Sequence, residues 1–307
     1  MMDLFRWEEQ EAKYNLSWSG VEPVEDLSGL EYDDRDLVEI LAEWYGVEPS
    51  NILIVHGAQE ALFLVYLALR PREIHVQRPT YPAIVEQAEA LGIRVVFHGV
   101  KPVDVSGGVI SIANPNNPLG IYIDPGIYVD ENIVIGDEIF KYFVRGDNYI
   151  HENYIIVSGS SKFFPVKGRK VGWIVAREDY IDRIRRYRDL VSPPPIYEEE
   201  LIKYIFSSYR YFRERNLGIV KGNLDALRRG NRFFRVRYGE YMPVAVLESD
   251  TDSMDLALKL YNECSVLLTP MEYFYHGNGL RISLGYRDVG ILTRALDEIN
   301  RFMESIG

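Results

Sequence analysis

A single cysteine, Cys264, stands among the 307 residues. One thiol excludes an intramolecular disulfide and any site built from several thiolates. Its surroundings, Cys264-Ser265-Val266-Leu267-Leu268, read as a buried strand, so the thiol is expected to be an inert core group. The five histidines, His56, His75, His98, His151 and His276, show no HxxxH or HxH pairing, and no metal site is expected. Positive charge is also scarce. The net charge of −12 argues against a nucleic-acid partner. No apolar run approaches the ~20 residues that span a bilayer. The acidic start, Met1-Met2-Asp3-Leu4-Phe5-Arg6, lacks the basic-then-apolar order of a secretion signal, so the expected setting is the cytoplasm. No G-x-G-x-x-G follows the first apolar strand, which disfavours a dinucleotide-binding enzyme.

What is present is ordinary globular material, 47% hydrophobic and 26% charged, enough for a substantial core. After a polar, aromatic-bearing arm over residues 1–30, short β-rich runs alternate with amphipathic stretches. Strands are expected at 52–56, 73–77, 94–98, 109–113, 133–136, 154–158 and 171–176, with helices at 58–69 and 81–91. Such alternation predicts a mainly parallel sheet covered by helices on both faces. From residue 178 the texture changes. Charged helical stretches at 178–190 and 198–236 are separated by Ser192-Pro193-Pro194-Pro195, read either as a hinge or as a turn. Strands at 242–247, 266–269 and 280–284 and a helix over 289–303 then predict a smaller α+β domain. The expected division is an arm over 1–30, a large domain over 31–195 and a small domain over 196–307.

In an open parallel sheet, ligands collect at the carboxyl ends of the strands. The first strand is followed by Gly57-Ala58-Gln59, small residues opening a helix, where free N–H groups can hold an anion. The next ends at Tyr81, whose ring can stack on a flat heterocycle. Then comes Asn114-Pro115-Asn116-Asn117-Pro118-Leu119-Gly120, in which prolines fix the backbone and are expected to hold the paired amides outward. Asp137-Glu138-Ile139-Phe140 puts an acid at the end of a buried apolar strand, a costly position unless the acid is paired. Ser160-Ser161-Lys162-Phe163-Phe164 carries a lysine beside apolar rings, with Arg169 and Lys170 downstream. Burial and neighbouring cations should lower such an amine's pKa and make it nucleophilic. Arg281, within an alternating strand, calls for a carboxylate partner, whether a ligand or an internal acid.

Taken in this order, these segments resemble the class I/II aminotransferases, pyridoxal 5′-phosphate (PLP) enzymes of fold type I. The likeness runs from about Gly20 to Arg281. It implies an α/β PLP-dependent transferase fold, with a mainly parallel sheet of the seven-stranded kind and a small α+β domain. It also implies roles. Lys162 would hold PLP as an imine and shuttle the Cα proton, and Asp137 would pair with the pyridine nitrogen. Asn117 would bond the ring hydroxyl and help orient the substrate carboxylate, Tyr81 would stack on the ring, and Phe140 would lie beside it. Gly57, Ala58, Gln59, Ser160, Ser161 and Lys170 would hold the phosphate, with Arg169 competing for the place of Lys170. Arg281 would clamp the substrate α-carboxylate under Gly20. Tyr32 would reach the phosphate of a neighbouring subunit, implying a homodimer. The reaction implied is ping-pong transfer of an amino group between an amino acid and a 2-oxo acid.

Three departures from the family pattern stand out. Phe140 replaces a usual tyrosine, Gly159 replaces a usual serine, and the chain is short, as though a helix had been trimmed between Asn117 and Asp137. The first keeps alive PLP-dependent decarboxylases of amino acid phosphates and β-lyases on the same scaffold. A non-catalytic PLP-fold module would need an attached DNA-binding segment, for which 307 residues leave little room.

Overall fold

The computed structural model describes residues 4–101, 105–191 and 198–306. The Ser192–Pro195 segment, and with it the expected hinge and domain boundary, lies outside the described residues. The chain opens with a short helix, α1 (Leu4–Glu8), and a two-residue strand, β1 (Tyr14–Asn15). Helix α2 (Leu37–Tyr45) starts where the Asp36 side chain accepts from the backbone N–H groups of Val38 and Glu39. It stops at Gly46, whose φ of 69° is a left-handed cap.

Next come β2 (Ile52–Val55), α3 (Ala58–Leu69), β3 (Glu73–Val76), α4 (Pro82–Ala90), β4 (Arg94–Phe97), β5 (Val109–Ala113), β6 (Ile133–Asp137), α5 (Lys141–Val144), β7 (Tyr154–Gly159) and β8 (Gly172–Val175). Seven strands form one sheet in the order β2-β8-β7-β6-β5-β3-β4, parallel except for β8. The central strands are buried on both faces, which is why they read as continuous apolar runs. One face packs under α3, α4 and α6 (Glu178–Val191), through residues such as Leu62, Val65, Ile84 and Ile181. The other packs under α2, α7 (Ile202–Ile205) and α8 (Tyr209–Gly230), through Leu41, Ile202, Phe206 and Phe212. Between Asn117 and Asp137 the only helical element is the single turn Pro125–Ile127.

The rest of the chain builds a second layer: β9 (Arg235–Arg237), β10 (Val244–Asp252), α9 (Ser253–Cys264), β11 (Val266–Leu267), β12 (Thr269–Pro270), β13 (Asn278–Ser283) and α10 (Val289–Ile306). Four of these strands pair antiparallel in the order β12-β13-β10-β9, while β11 pairs in parallel with β1. The arm is thereby stitched to the C-terminal layer, and Leu4, Trp7, Tyr14 and Leu16 join its core. Helix α10 buries Leu292, Ala295, Leu296 and Ile299, the i, i+3, i+4, i+7 stripe of an amphipathic helix.

Three expectations need correcting. Helix is not continuous over 198–236: α8 stops at Gly230, Asn231 bonds both backbone groups of Phe234, and residues 235–237 pair as β9. Residues 266–269 do not form one strand but divide between β11 and β12. Cys264 lies not in a strand but at the end of α9, which sequence reading overlooked. Ser265, at φ 52°, makes the left-handed turn into β11, leaving the thiol half-buried with its pKa raised mainly by burial.

Candidate active site

A cleft of about 420 Å³ opens at the carboxyl ends of the parallel strands. Because β8 runs antiparallel to its neighbours, its beginning rather than its end lies at this edge. That reversal brings Lys170 and Gly172 against the Gly57 turn that follows β2. The cleft is lined by Gly57, Ala58, Gln59, Tyr81, Asn117, Asp137, Phe140, Ser161, Lys162 and Lys170, ten of the residues expected there from the sequence.

The turn at Gly57 depends on the absence of side chains. Gly57 sits at φ 140°, and a Cβ on Gly172 would come within 2.4 Å of its Cα. Gly172→Ala should therefore push the turn aside, costing roughly 1–3 kcal/mol of stability and misaligning the N–H groups that open α3. Thermal melts and a PLP titration check this: a lower Tm with weaker cofactor binding is expected, whereas Gly29→Ala, with no atom within 4 Å of its Cβ, should change neither.

Lys162 follows β7 and points into the cleft, its Nζ donating to the carbonyl of Ser19 and to Ser19 Oγ at 3.1 Å. Burial pushes the amine down to about 8; Glu8 and Asp137 oppose the shift, and Arg281 adds to it. Asp137 ends β6, buried, accepting from the Ile139 N–H at 3.2 Å. Burial lifts its carboxyl to about 6, against the Ile139 bond and the charge of Lys162. The adjacent Glu138 is consumed elsewhere, by Lys141 at 3.0 Å and the Tyr154 hydroxyl at 2.9 Å. Tyr81 caps α4 and receives a hydrogen bond from Gln59 Nε2 at 3.1 Å; its hydroxyl pKa is raised, chiefly by burial.

Other expected residues stand differently. Of the asparagines, only Asn117 lines the cleft. Asn114 and Asn116, expected to project outward in the case of Asn116, turn inward: Asn114 bonds Ile123, and Asn116 bonds Gln77, Pro79 and Leu119, satisfying the loop's own backbone. Ser160 is buried, accepting from the Val171 N–H at 3.0 Å, so Ser161 is the serine at the cleft wall. Arg169 faces Glu198 at 3.8 Å, which leaves Lys170 at the turn. Gly20 lies behind Lys162, where a Cβ would be 3.3 Å from Cδ of the lysine. Tyr32 is exposed and stacks edge-on with Tyr204, ring centroids 4.9 Å apart, and is not among the residues that line this chain's own cleft.

Arg281 does not line the cleft at all. It is fully buried on β13, beneath Asn117, whose Oδ1 it reaches at 3.4 Å. Its Nη2 donates to Glu8 Oε1 at 2.5 Å, to the Ser17 carbonyl and to Thr269 Oγ1 at 3.3 Å. Its Nε has no hydrogen-bond partner among the described residues.

Sequence reading missed Phe5, Ser19, His56, Glu60, Leu62, Ala113 and Ile139, which also line the cleft. His56 and Glu60 flank the Gly57 turn, with Glu60 Oε2 accepting from the His56 N–H at 2.5 Å, so their position was recoverable from the strand end. Phe5 carried no signal. Among the described residues no cluster of His, Cys, Asp or Glu is arranged to hold a metal ion, and no helix is long and apolar enough to cross a membrane.

Residues 27–299 match the family model described as Aminotransferase class I and II. The (5-formylfuran-3-yl)methyl phosphate transaminase of Methanocaldococcus jannaschii is 27% identical over 78% of this chain and 73% of its own length. A histidinol-phosphate aminotransferase of Geobacter sulfurreducens is 28% identical over 50% of this chain; the match spans 49% of that relative. In structure, a PLP-dependent aminotransferase from Streptococcus suis superposes with a TM-score of 0.83 at 20% identity, covering 99% of this chain and 97% of the other.

Proposed function

This chain belongs to the class I and II aminotransferases, and on that premise we propose that it is a PLP-dependent transaminase whose cleft works through Lys162 and Asp137. The residues present fit the cofactor. The side-chain-free turn at Gly57 and the start of α3 suit a phosphate, helped by Ser161 and Lys170. A buried carboxyl raised to about 6 suits a protonated ring nitrogen. When bound, PLP supplies an electron sink for the bond to Cα of the amine.

Each side chain then has its task. Lys162 would attach the cofactor and, once displaced by the substrate amine, would take the proton from Cα and return it to the carbon on the far side of the nitrogen. With its amine pushed down to about 8, a useful fraction is unprotonated near neutrality. Asp137 would hold a proton on the ring nitrogen. The Tyr81 ring would stack on the cofactor, and Asn117 would donate to its ring hydroxyl. Phe140 has no hydroxyl to offer, so that oxygen would have one donor fewer. The exposed Tyr32 is assigned to the phosphate of a second copy, making the active form a homodimer.

The observation that carries this reading is the meeting of the Lys162 amine, the Asp137 carboxyl and the Gly57 turn in one cleft. The test is a screen of amino donors against oxo acceptors, 2-oxo acids and aldehydes alike, following cofactor absorbance and identifying the product. Interconversion of the pyridoxal and pyridoxamine forms with release of an oxo compound is expected. Protein that stays colourless with PLP, or that releases carbon dioxide or ammonia instead, overturns it.

A further inference from the structure

Among the described residues Arg281 is the guanidinium buried against Asn117 of the cleft wall, and it is not free. Glu8 meets it at 2.5 Å, with side-chain exposures of 1% for the arginine and 20% for the glutamate. The contact is made through Nη2, while Nε has no hydrogen-bond partner among the described residues. Ser17 and Thr269 crowd the same Nη2. A substrate carboxylate arriving there would meet a second carboxylate in a place where like charges are poorly screened.

Glu8 is not on a loose tail. The helix that carries it is pinned by Leu4 and Trp7, 2% and 3% exposed, by Trp7 Nε1 donating to the Leu268 carbonyl at 2.8 Å, and by Asn15 Nδ2 donating to the Glu8 carbonyl at 2.9 Å. From the same helix Phe5 reaches the cleft wall, where Leu62, Ile139 and Phe140 add apolar surface.

We propose that Glu8 is a specificity-determining residue, a built-in counter-ion that closes Arg281 to substrate, so that the site takes amines bearing no carboxylate on the carbon that holds the nitrogen. This rests on the aminotransfer reading and names its substrate class. Discrimination comes from a repulsive element against the wrong ligand rather than from an added attraction to the right one.

Matched pairs test it. The holoenzyme is mixed with phenylalanine or phenylalaninol, and with alanine or alaninol, pairs that differ only in carboxylate against hydroxymethyl. Conversion of the lysine-bound cofactor to its amine form is followed by absorbance. The wild type should convert with the amino alcohol at least as efficiently as with the amino acid. Glu8→Gln, which keeps the shape and removes the charge, should move the ratio about tenfold or more toward the amino acid. A readout independent of turnover is calorimetry with 3-phenylpropionate, which should bind Glu8→Gln about tenfold more tightly than wild type. A wild type that favours amino acids tenfold, or a variant that binds 3-phenylpropionate no better, overturns the proposal. If Glu8→Gln does not fold, the wild-type ratio still decides. If no amine converts a cofactor that is visibly lysine-bound, aminotransfer itself fails, while calorimetry still reads Glu8.

Discussion

Lys162→Ala should bind PLP yet lose the absorbance of the lysine-bound cofactor, and amino-group transfer should fall by about a thousandfold or more. The cradle at Gly57 and the carboxyl of Asp137 are untouched by the change, so the cofactor retains its non-covalent contacts. What should be lost, on the proposed roles, is both the nucleophile that attaches it and the base that moves the Cα proton. An amine at about 8 is roughly one-tenth neutral at pH 7, whereas one near the ordinary 10.4 would be neutral in only about one molecule in several thousand. The neutral fraction grows as pH rises, so attachment of PLP to the wild-type apoprotein should accelerate from pH 7 and level off above about 8. Borohydride treatment of the wild type followed by peptide mapping should place the label on Lys162. A label on Lys170, at the mouth of the same cleft, would exchange the two lysines' roles and sink the assignment.

Much of the large sheet was legible because parallel strands buried on both faces announce themselves as apolar runs, and because Gly, Asn and Pro punctuate their ends. Helix α3 and strand β5 have the expected bounds, 58–69 and 109–113. The C-terminal layer was harder for a physical reason. Strands β11 and β12 are two residues each, too short to carry a period, and the end of α9 runs directly into the apolar stretch at Val266. Cys264 was therefore read with the residues after it, when its backbone belongs to the helix before it.

The cleft divides in the same way. Residues that follow the strands could be found from one dimension, since strand ends converge wherever a parallel sheet forms. Glu8 and Phe5 could not. They reach the site through a docking contact spanning 273 residues of sequence, from Glu8 to Arg281, and a five-residue helix offers no periodicity by which to foresee which way it faces. The need of a buried Arg281 for a carboxylate was readable from the alternating strand; that the carboxylate would come from the arm was not.

Asp137→Asn should abolish most of the activity and yet make the cofactor-free protein more stable. In the unfolded chain this carboxyl titrates near 3.8, and in the fold burial lifts it to about 6. Between those two values the folded state binds more protons than the unfolded one, so stability falls as pH rises from about 4 to about 6 and the deficit persists above that. A shift of this size corresponds to ~3 kcal/mol. Asparagine never carries that charge. The advantage of Asp137→Asn over wild type should thus be small at pH 4, grow through pH 5 and reach its full value by pH 7, as read from denaturant unfolding of the apoproteins. Adding PLP should reverse the order, because a protonated ring nitrogen gives the Asp137 charge the partner it lacks, whereas an amide cannot hold the proton there. Apo Asp137→Asn less stable than wild type at pH 7 would mean that the carboxylate is already satisfied within the protein, and the case for a cationic ring beside it would fall. The expected trade, stability given up in the empty site and recovered only with cofactor bound, is what a residue kept for chemistry rather than for packing should display.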